Sequence, residues 1–323
     1  MKRATIVESR KGIYSAFPTM VTHKGYIYLY YRQGATSSAQ VHGLHGVVNR
    51  MKVREDDYTK AHGEPKAGPV SKIGEERVVF AGENELDSIV AQIDESLFSL
   101  CTRDTVLGSH NTCFVSFGDE PEFYWREEVS LPGVNLHAFY GKPLKTPHGY
   151  VFTAYGEVNR DGLQRPLVLV TDTKRWGLLS YLPTMVKGNR LNECSLTRDG
   201  DSWLLFIRED DPPYGIWFSR SPDLQEWSAP EKLVSSAHAP MAKEVGRKIH
   251  LAYRWLVKKG LSAVALTRPW GNEKPMVLDH YRGSPYDGGY TDIAEVSGRL
   301  NIIYYLGNPR GEPSIESCLL PPL

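Results

Sequence analysis

Glu193 and Arg208 bracket the run ECSLTRDGDSWLLFIR, an apolar hairpin pattern that opens on a carboxylate and closes on a guanidinium. Similar runs close on Arg32 (FPTMVTHKGYIYLYYR), Arg103 (SIVAQIDESLFSLCTR) and Arg254 (APMAKEVGRKIHLAYR). In an antiparallel hairpin the first and last residues lie at the same end, so each arginine ends beside the start of its own run. A single arginine after a strand is equally an ordinary solvated edge residue. Four at corresponding places predict a guanidinium cluster, and its planar, forked donors suit an anion, above all a carboxylate held bidentately. Tyr290 opens a further run, YTDIAEVSGRLNIIYY, at the place Glu193 takes in its own. It lies about two repeats from Glu193, which would allow a Glu–Tyr hydrogen bond across a shared channel. The competing readings are a structural Glu193–Arg208 ion pair and a tyrosine that only packs. His42 and His45 are the strong proton-transfer candidates of the loop QGATSSAQVHGLHGVVNR, which holds no Asp, and both also suit ordinary loop roles.

Such chemistry needs elements that bring all these runs to one mouth. Short stretches rich in Val, Ile, Tyr, Phe and Leu are cut by Gly, Asp, Asn or Pro, the pattern of strands and turns. With 18 Tyr, 10 Phe, 7 Trp, 29 Gly and 21 Pro, the composition fits an all-β chain. The best helical window, residues 83–95, reads equally as a turn and a strand. The hairpin pattern recurs from Phe17, Ser88, Tyr140, Glu193, Ala239 and Tyr290, at intervals of 71, 52, 53, 46 and 51 residues, a period near fifty after a longer first step. This repeat predicts a six-bladed β-propeller spanning 1–323 as one domain, with those residues at equivalent positions around a channel. A solenoid is the structural rival, but its repeats are shorter and more regular. The polar stretch at about 51–78 is expected to be an excursion between the first two blades. The N-terminal strand is expected to complete the last blade and close the ring, hiding two sheet edges.

Composition narrows the function further. Lys+Arg and Asp+Glu are both 38, so the formal charge is zero, against a nucleic-acid or anionic-membrane binder. No apolar run is long enough to insert in a membrane, and MKRATIVESRKG lacks the apolar core of a secretion signal. The expected location is therefore cytoplasmic, or released and phage-associated. Cys101, Cys113, Cys194 and Cys318 lie far apart, without metal-ligand spacing, and no cofactor motif is present.

The run NECSLTRDGDSWLLFIR resembles the fourth-blade segment of sialidases (neuraminidases) and of phage endosialidases. HAPMAKEVGRKIHLAYR resembles their next blade, and GGYTDIAEVSGRLNIIYY the segment where exo-acting sialidases carry their nucleophilic tyrosine. FSRSPDLQEWSAP is similar to the Asp-box turn, shortened and without its Gly, and VTDTKRWG is a weaker echo. The resemblance spans 17–319 as a blade pattern and is specific in blades 4 to 6. It implies a sialidase-like propeller that cleaves sialic acid or a related acidic sugar from a glycan. Arg208 and Arg254 would hold the substrate carboxylate, and Tyr290 activated by Glu193 would attack. A phenol suits an anomeric centre that bears a carboxylate, because a carboxylate nucleophile would be repelled. If Tyr290 only packs, water activated by Glu193 or a histidine gives an inverting route. Two departures stand out. Ala16-Phe17-Pro18 replaces the Arg-Ile-Pro of exo-acting sialidases, leaving Arg32 or Arg103 as substitutes, and the loop after the second strand lacks the family's acid/base Asp. The pattern of a Glu with two arginines is closer to the endosialidases. Two other functions compete: an attachment or recognition propeller that binds an anionic glycan without cleaving it, and a five-bladed arabinanase-like glycosidase. The last requires three channel carboxylates, for which Glu193, Glu157 and Asp292 are the candidates.

Overall fold

β-Branched and aromatic residues in short alternating runs form strands throughout this computed structural model, as their fit to a pleated surface dictates. It describes residues 1–36, 42, 44–64, 68–82, 84–103, 112–118, 125–172, 174–183, 185–284 and 286–322, with 112–118 and 125–127 by backbone alone. The strands form six antiparallel sheets, five of four strands and one of five. Their innermost long strands are Ile13–His23, Glu85–Ile93, Val134–Thr146, Asn189–Asp199, Ala237–Val245 and Thr291–Val296. Each packs against the next, and the last against the first. The chain is an all-β propeller arrangement.

Three inner hairpins close with two-residue turns at Lys24-Gly25, Gly246-Arg247 and Ser297-Gly298, where both residues have positive φ. That turn geometry matches the right-handed twist of the flanking strands and selects glycine for one of its two places. The turns in FSRSPDLQEWSAP and VTDTKRWG do similar work on the outer edges. Asp223 Oδ1 accepts from the N–H groups of Gln225 and Glu226 at 2.9 and 3.0 Å. Asp172 Oδ1 accepts from those of Lys174 and Arg175 at 2.9 and 2.8 Å.

The N-terminal strand Lys2–Val7 pairs with Ser314–Pro322 as the outer strand of the last sheet, so the two ends of the chain share one sheet. The window 83–95 holds the strand Glu85–Ile93 and not a helix. The stretch 51–78 departs from expectation. It lies inside the first sheet, between its third strand, Leu44–Arg54, and its fourth, Glu75–Ala81, not between two blades. It carries the helix Glu55–Ala61, docked on the last sheet through Tyr58 and His62, whose Oη and Nε2 lie 2.9 and 3.0 Å from Ser317 Oγ. No helix among the described residues is long and apolar enough to cross a membrane.

A buried cation pins the centre. Lys142 Nζ lies 2.7 Å from Asp292 Oδ2 and donates to Thr19 Oγ1, the Met20 carbonyl and the Val90 carbonyl at 2.7, 2.9 and 2.6 Å. Four inner strands therefore meet on one ammonium group. Asp292, a candidate channel carboxylate by sequence, is committed to this pair.

Candidate active site

Four inner strands bulge near the same end of the channel. Pairing jumps from Ala16–Arg32 to Thr19–Tyr30, from Glu85–Arg103 to Ser88–Cys101, from Leu191–Glu209 to Cys194–Ile207, and from His238–Arg254 to Met241–Ala252. Two residues thus oppose one at Phe17-Pro18, Leu86-Asp87, Asn192-Glu193 and Ala239-Pro240. A bulge bends its strand and re-aims the side chain it carries. Two of the four present a proline, and two present a carboxylate. Counted from the turns, this register corrects one equivalence expected from the repeat: Asp87, not Ser88, lies level with Phe17, Glu193 and Ala239. All six inner hairpins turn in two residues, and the second run, aligned on Arg103, sits one residue late against its turn.

Glu193, Arg208 and Tyr290 meet. Tyr290 Oη donates to Glu193 Oε1 at 2.6 Å, and Arg208 Nη1 lies 2.9 Å from the same oxygen and 3.2 Å from Tyr290 Oη. Arg208 Nη2 is held by Asp210 Oδ1 at 2.7 Å. Arg254 is completely buried, its guanidinium carbon 4.8 Å from the centre of the Tyr290 ring. Its Nε donates to the Gly288 carbonyl at 2.6 Å, but Nη1 and Nη2 have no partner among the described residues. Arg208 Nε and Glu193 Oε2 are likewise buried and unpartnered. Such groups carry a desolvation cost until something bonds to them. The site therefore presents unpartnered cationic donors beside one unpartnered carboxylate oxygen. Burial, and then the Glu193 charge, push the Tyr290 phenol well above its ordinary range, so it holds its proton at rest.

The other expected residues separate from this group. Arg32 is fully buried, with Nε on the Glu85 carbonyl at 2.6 Å, Nη2 on Asn84 Oδ1 at 2.8 Å, and Nη1 on the His42 carbonyl. Arg103 forms an ion pair with Glu85 at 2.6 Å. Both guanidiniums hold backbone and loop in place, so the cluster of four expected from the repeat is a pair. His42 stays at the margin, its ring 5.0 Å from Phe17, with Nδ1 3.0 Å from Tyr14 Oη. Burial and the charges of Arg254, Arg32 and Arg208 depress it to about 3, so it is neutral near pH 7. His45 lies exposed on the surface. Residues 37–41 and 43 of the same loop lie outside the described residues. Glu157 is engaged away from the group: it accepts from Asn135 Nδ2 at 3.3 Å, and its Oε1 lies 3.4 Å from His137 Nε2.

Two residues enter that sequence reasoning passed over. Asp87 lines the central cavity with Tyr290, Thr291, Tyr140 and Met241. Burial and the neighbouring Glu193 push its carboxyl up to about 7, against the opposing pull of Arg32. Its signal was the acid in ELDS, hidden because the run was started one residue later. His238 is completely buried with both ring nitrogens unpartnered, and burial, Arg208 and Arg254 depress it to about 2. It stands just before the APM run and carries no distinguishing pattern of its own. Among the described residues no group of three or more His, Cys, Asp or Glu is placed to hold a metal ion.

This geometry belongs to a fold shared with propeller glycosidases. No family model matches the sequence, and no curated protein matches it. Among solved structures, a Dyadobacter fermentans protein of unknown function is similar at TM-score 0.73 and 15% identity, over 99% of this chain and 97% of that one. A Fusarium graminearum α-L-arabinofuranosidase is similar at TM-score 0.67 and 10% identity, over 99% and 97%. Trypanosoma rangeli sialidase in complex with sialic acid is similar at TM-score 0.63 and 10% identity, over 97% of this chain and 56% of that one. At these identities the likeness is one of fold, and residue roles must be argued from the site.

Proposed function

We propose that the six sheets act as six blades of one ring, and that the chain is a sialidase-type glycosidase releasing sialic acid or a related acidic sugar from a glycan. The observation that carries this reading is the contact of Tyr290 Oη with Glu193 Oε1 at 2.6 Å, directly beside the two unpartnered amino groups of Arg254. Arg254 and Arg208 receive the sugar carboxylate, and Tyr290 passes its proton to Glu193 as its oxygen bonds to the anomeric carbon. Arg208 Nη1, 3.2 Å from Tyr290 Oη, stabilises the negative charge that develops there. The site pattern of one Glu with two arginines is also what supports the likeness to endosialidases.

A second reading is an anionic-glycan-binding propeller without turnover. It is favoured by Ala16, which stands where exo-acting sialidases carry an arginine, and by Arg32, whose guanidinium is committed to Glu85, Asn84 and His42. The two readings separate in one assay: release of 4-methylumbelliferone from its sialoside, alongside turnover of polysialic acid, by wild type and Tyr290→Phe. Turnover that is lost in Tyr290→Phe, with retention at the anomeric carbon, supports the enzyme. Binding of either glycan without release by the wild type selects the second reading.

A further inference from the structure

The reaction just proposed leaves a proton unassigned. When the bond from the anomeric carbon to the leaving oxygen breaks, that oxygen takes the electron pair and needs a proton unless it leaves as a stable anion. Tyr290 cannot supply it, because its proton goes to Glu193. The histidines do not fit: His42 and His238 are held neutral by burial and the arginines, and His45 is exposed on the surface. Asp292 is paired with Lys142, and Asp210 with Arg208 and Arg190. Asp287 is engaged by Tyr14, accepting from its Oη at 3.3 Å.

We infer that Asp87 is the proton donor of this site: its carboxyl protonates the leaving oxygen as Tyr290 attacks, and its carboxylate then activates the water that releases Tyr290. The inference rests on the glycosidase reading above. Asp87 occupies the bulge position in the second sheet that Glu193 occupies in the fourth, and it lines the cavity on which the Tyr290 ring also opens. The charged and titratable groups that face it come from four sheets: Glu193, Arg32, Tyr155 and Tyr290. No hydrogen bond to its carboxyl is recorded from any of them. Burial and the Glu193 charge keep its proton on to about pH 7, as an acid working near neutrality requires. The steps balance. In the first, the proton of Tyr290 passes to Glu193, the Tyr290–carbon bond forms, and the leaving group departs with the proton of Asp87. In the second, Asp87 takes a proton from water, the water oxygen bonds to the anomeric carbon, and the Tyr290 oxygen leaves and recovers its proton from Glu193.

The test compares wild type with Asp87→Asn on two substrates, sialyllactose, whose sugar leaving group needs a proton, and 4-methylumbelliferyl sialoside, whose phenolate does not. Asp87→Asn should lose about 10²–10⁴-fold in kcat/KM on sialyllactose and less than about tenfold on the aryl sialoside. The fall of wild-type kcat/KM above about pH 7 should vanish in the variant on the aryl sialoside. Thermal unfolding and the affinity for free sialic acid report whether the variant is intact. An equal loss on both substrates, or an alkaline limb that persists in Asp87→Asn, overturns the assignment while leaving the glycosidase reading standing. A wild type that cleaves neither substrate overturns that reading, and this role with it.

Discussion

Replacing Arg254 by Met tests whether the site is built for an anion at the expense of the empty protein. The methionine keeps much of the stem that packs beside Gly289 and removes the charge. The losses in the unliganded protein are one hydrogen bond to the Gly288 carbonyl, about 1 kcal/mol, and the stacking of the cation on Tyr290, about 2 kcal/mol when desolvated. Against them stands the relief of Nη1 and Nη2, two buried unpartnered groups at about 1–3 kcal/mol each. Net stability should therefore lie within about 2 kcal/mol of wild type, or above it. Ligand response should change far more. Free sialic acid at a hundred times its Kd stabilises the wild type by about 2.7 kcal/mol. Removing a buried charged contact costs about 2–5 kcal/mol of binding, so the same concentration should leave the variant nearly unshifted. Urea denaturation with and without sialic acid reads both quantities. A variant destabilised by more than about 4 kcal/mol, with the ligand shift intact, would show that the guanidinium serves the fold and refute a carboxylate site.

Glu193→Gln keeps the side-chain shape but cannot accept the Tyr290 proton, so turnover should fall about 10²–10⁴-fold while sialic acid still binds; unchanged kcat would reduce Glu193 to a structural partner of Arg208. Lys142→Met should destabilise the fold by about 3–5 kcal/mol by stranding the buried Asp292 carboxylate, and the double change with Asp292→Asn should recover part of that loss. His238 is depressed in the folded state, so the unfolded chain takes up its proton first and stability drains as pH falls from about 6.5 toward 2. His238→Gln should therefore flatten that acid limb in denaturation measured across pH, and an unchanged slope would mean the imidazole titrates alike in both states. Asp87 acts in the opposite direction: its folded value is raised, so it removes stability as pH rises from about 4 to 7, and Asp87→Asn should exceed wild type most clearly at pH 8.

The chain's own pattern determined the strands, the hairpins and which of their ends lie together. Glycine at two-residue turns follows from backbone sterics, and short runs buried on both faces mark the inner strands, so both are legible residue by residue. For the same reason Glu193, Arg208, Arg254 and Tyr290 could be drawn to one region before any coordinates: each terminates or opens a run whose direction the hairpin settles. What the pattern could not carry is exact register. A shift of one residue moves every side chain to the other face, and aligning the second run on Arg103 made that shift, setting Ser88 where Asp87 lies level with Glu193. Nor could it say what each guanidinium touches. Arg32 and Arg103 end their runs just as Arg254 does, yet the first is spent on the Glu85 carbonyl and Asn84, the second on the Glu85 carboxylate, and the third keeps two amino groups open. The stretch 51–78 reads as polar excursion in sequence and becomes a buried dock only because Ser317, from the far end of the chain, lies opposite Tyr58 and His62. Hairpin geometry is a short-range property of the backbone, whereas the partner of a buried polar group is whatever distant segment the closed ring sets against it. Tertiary structure alone makes that choice.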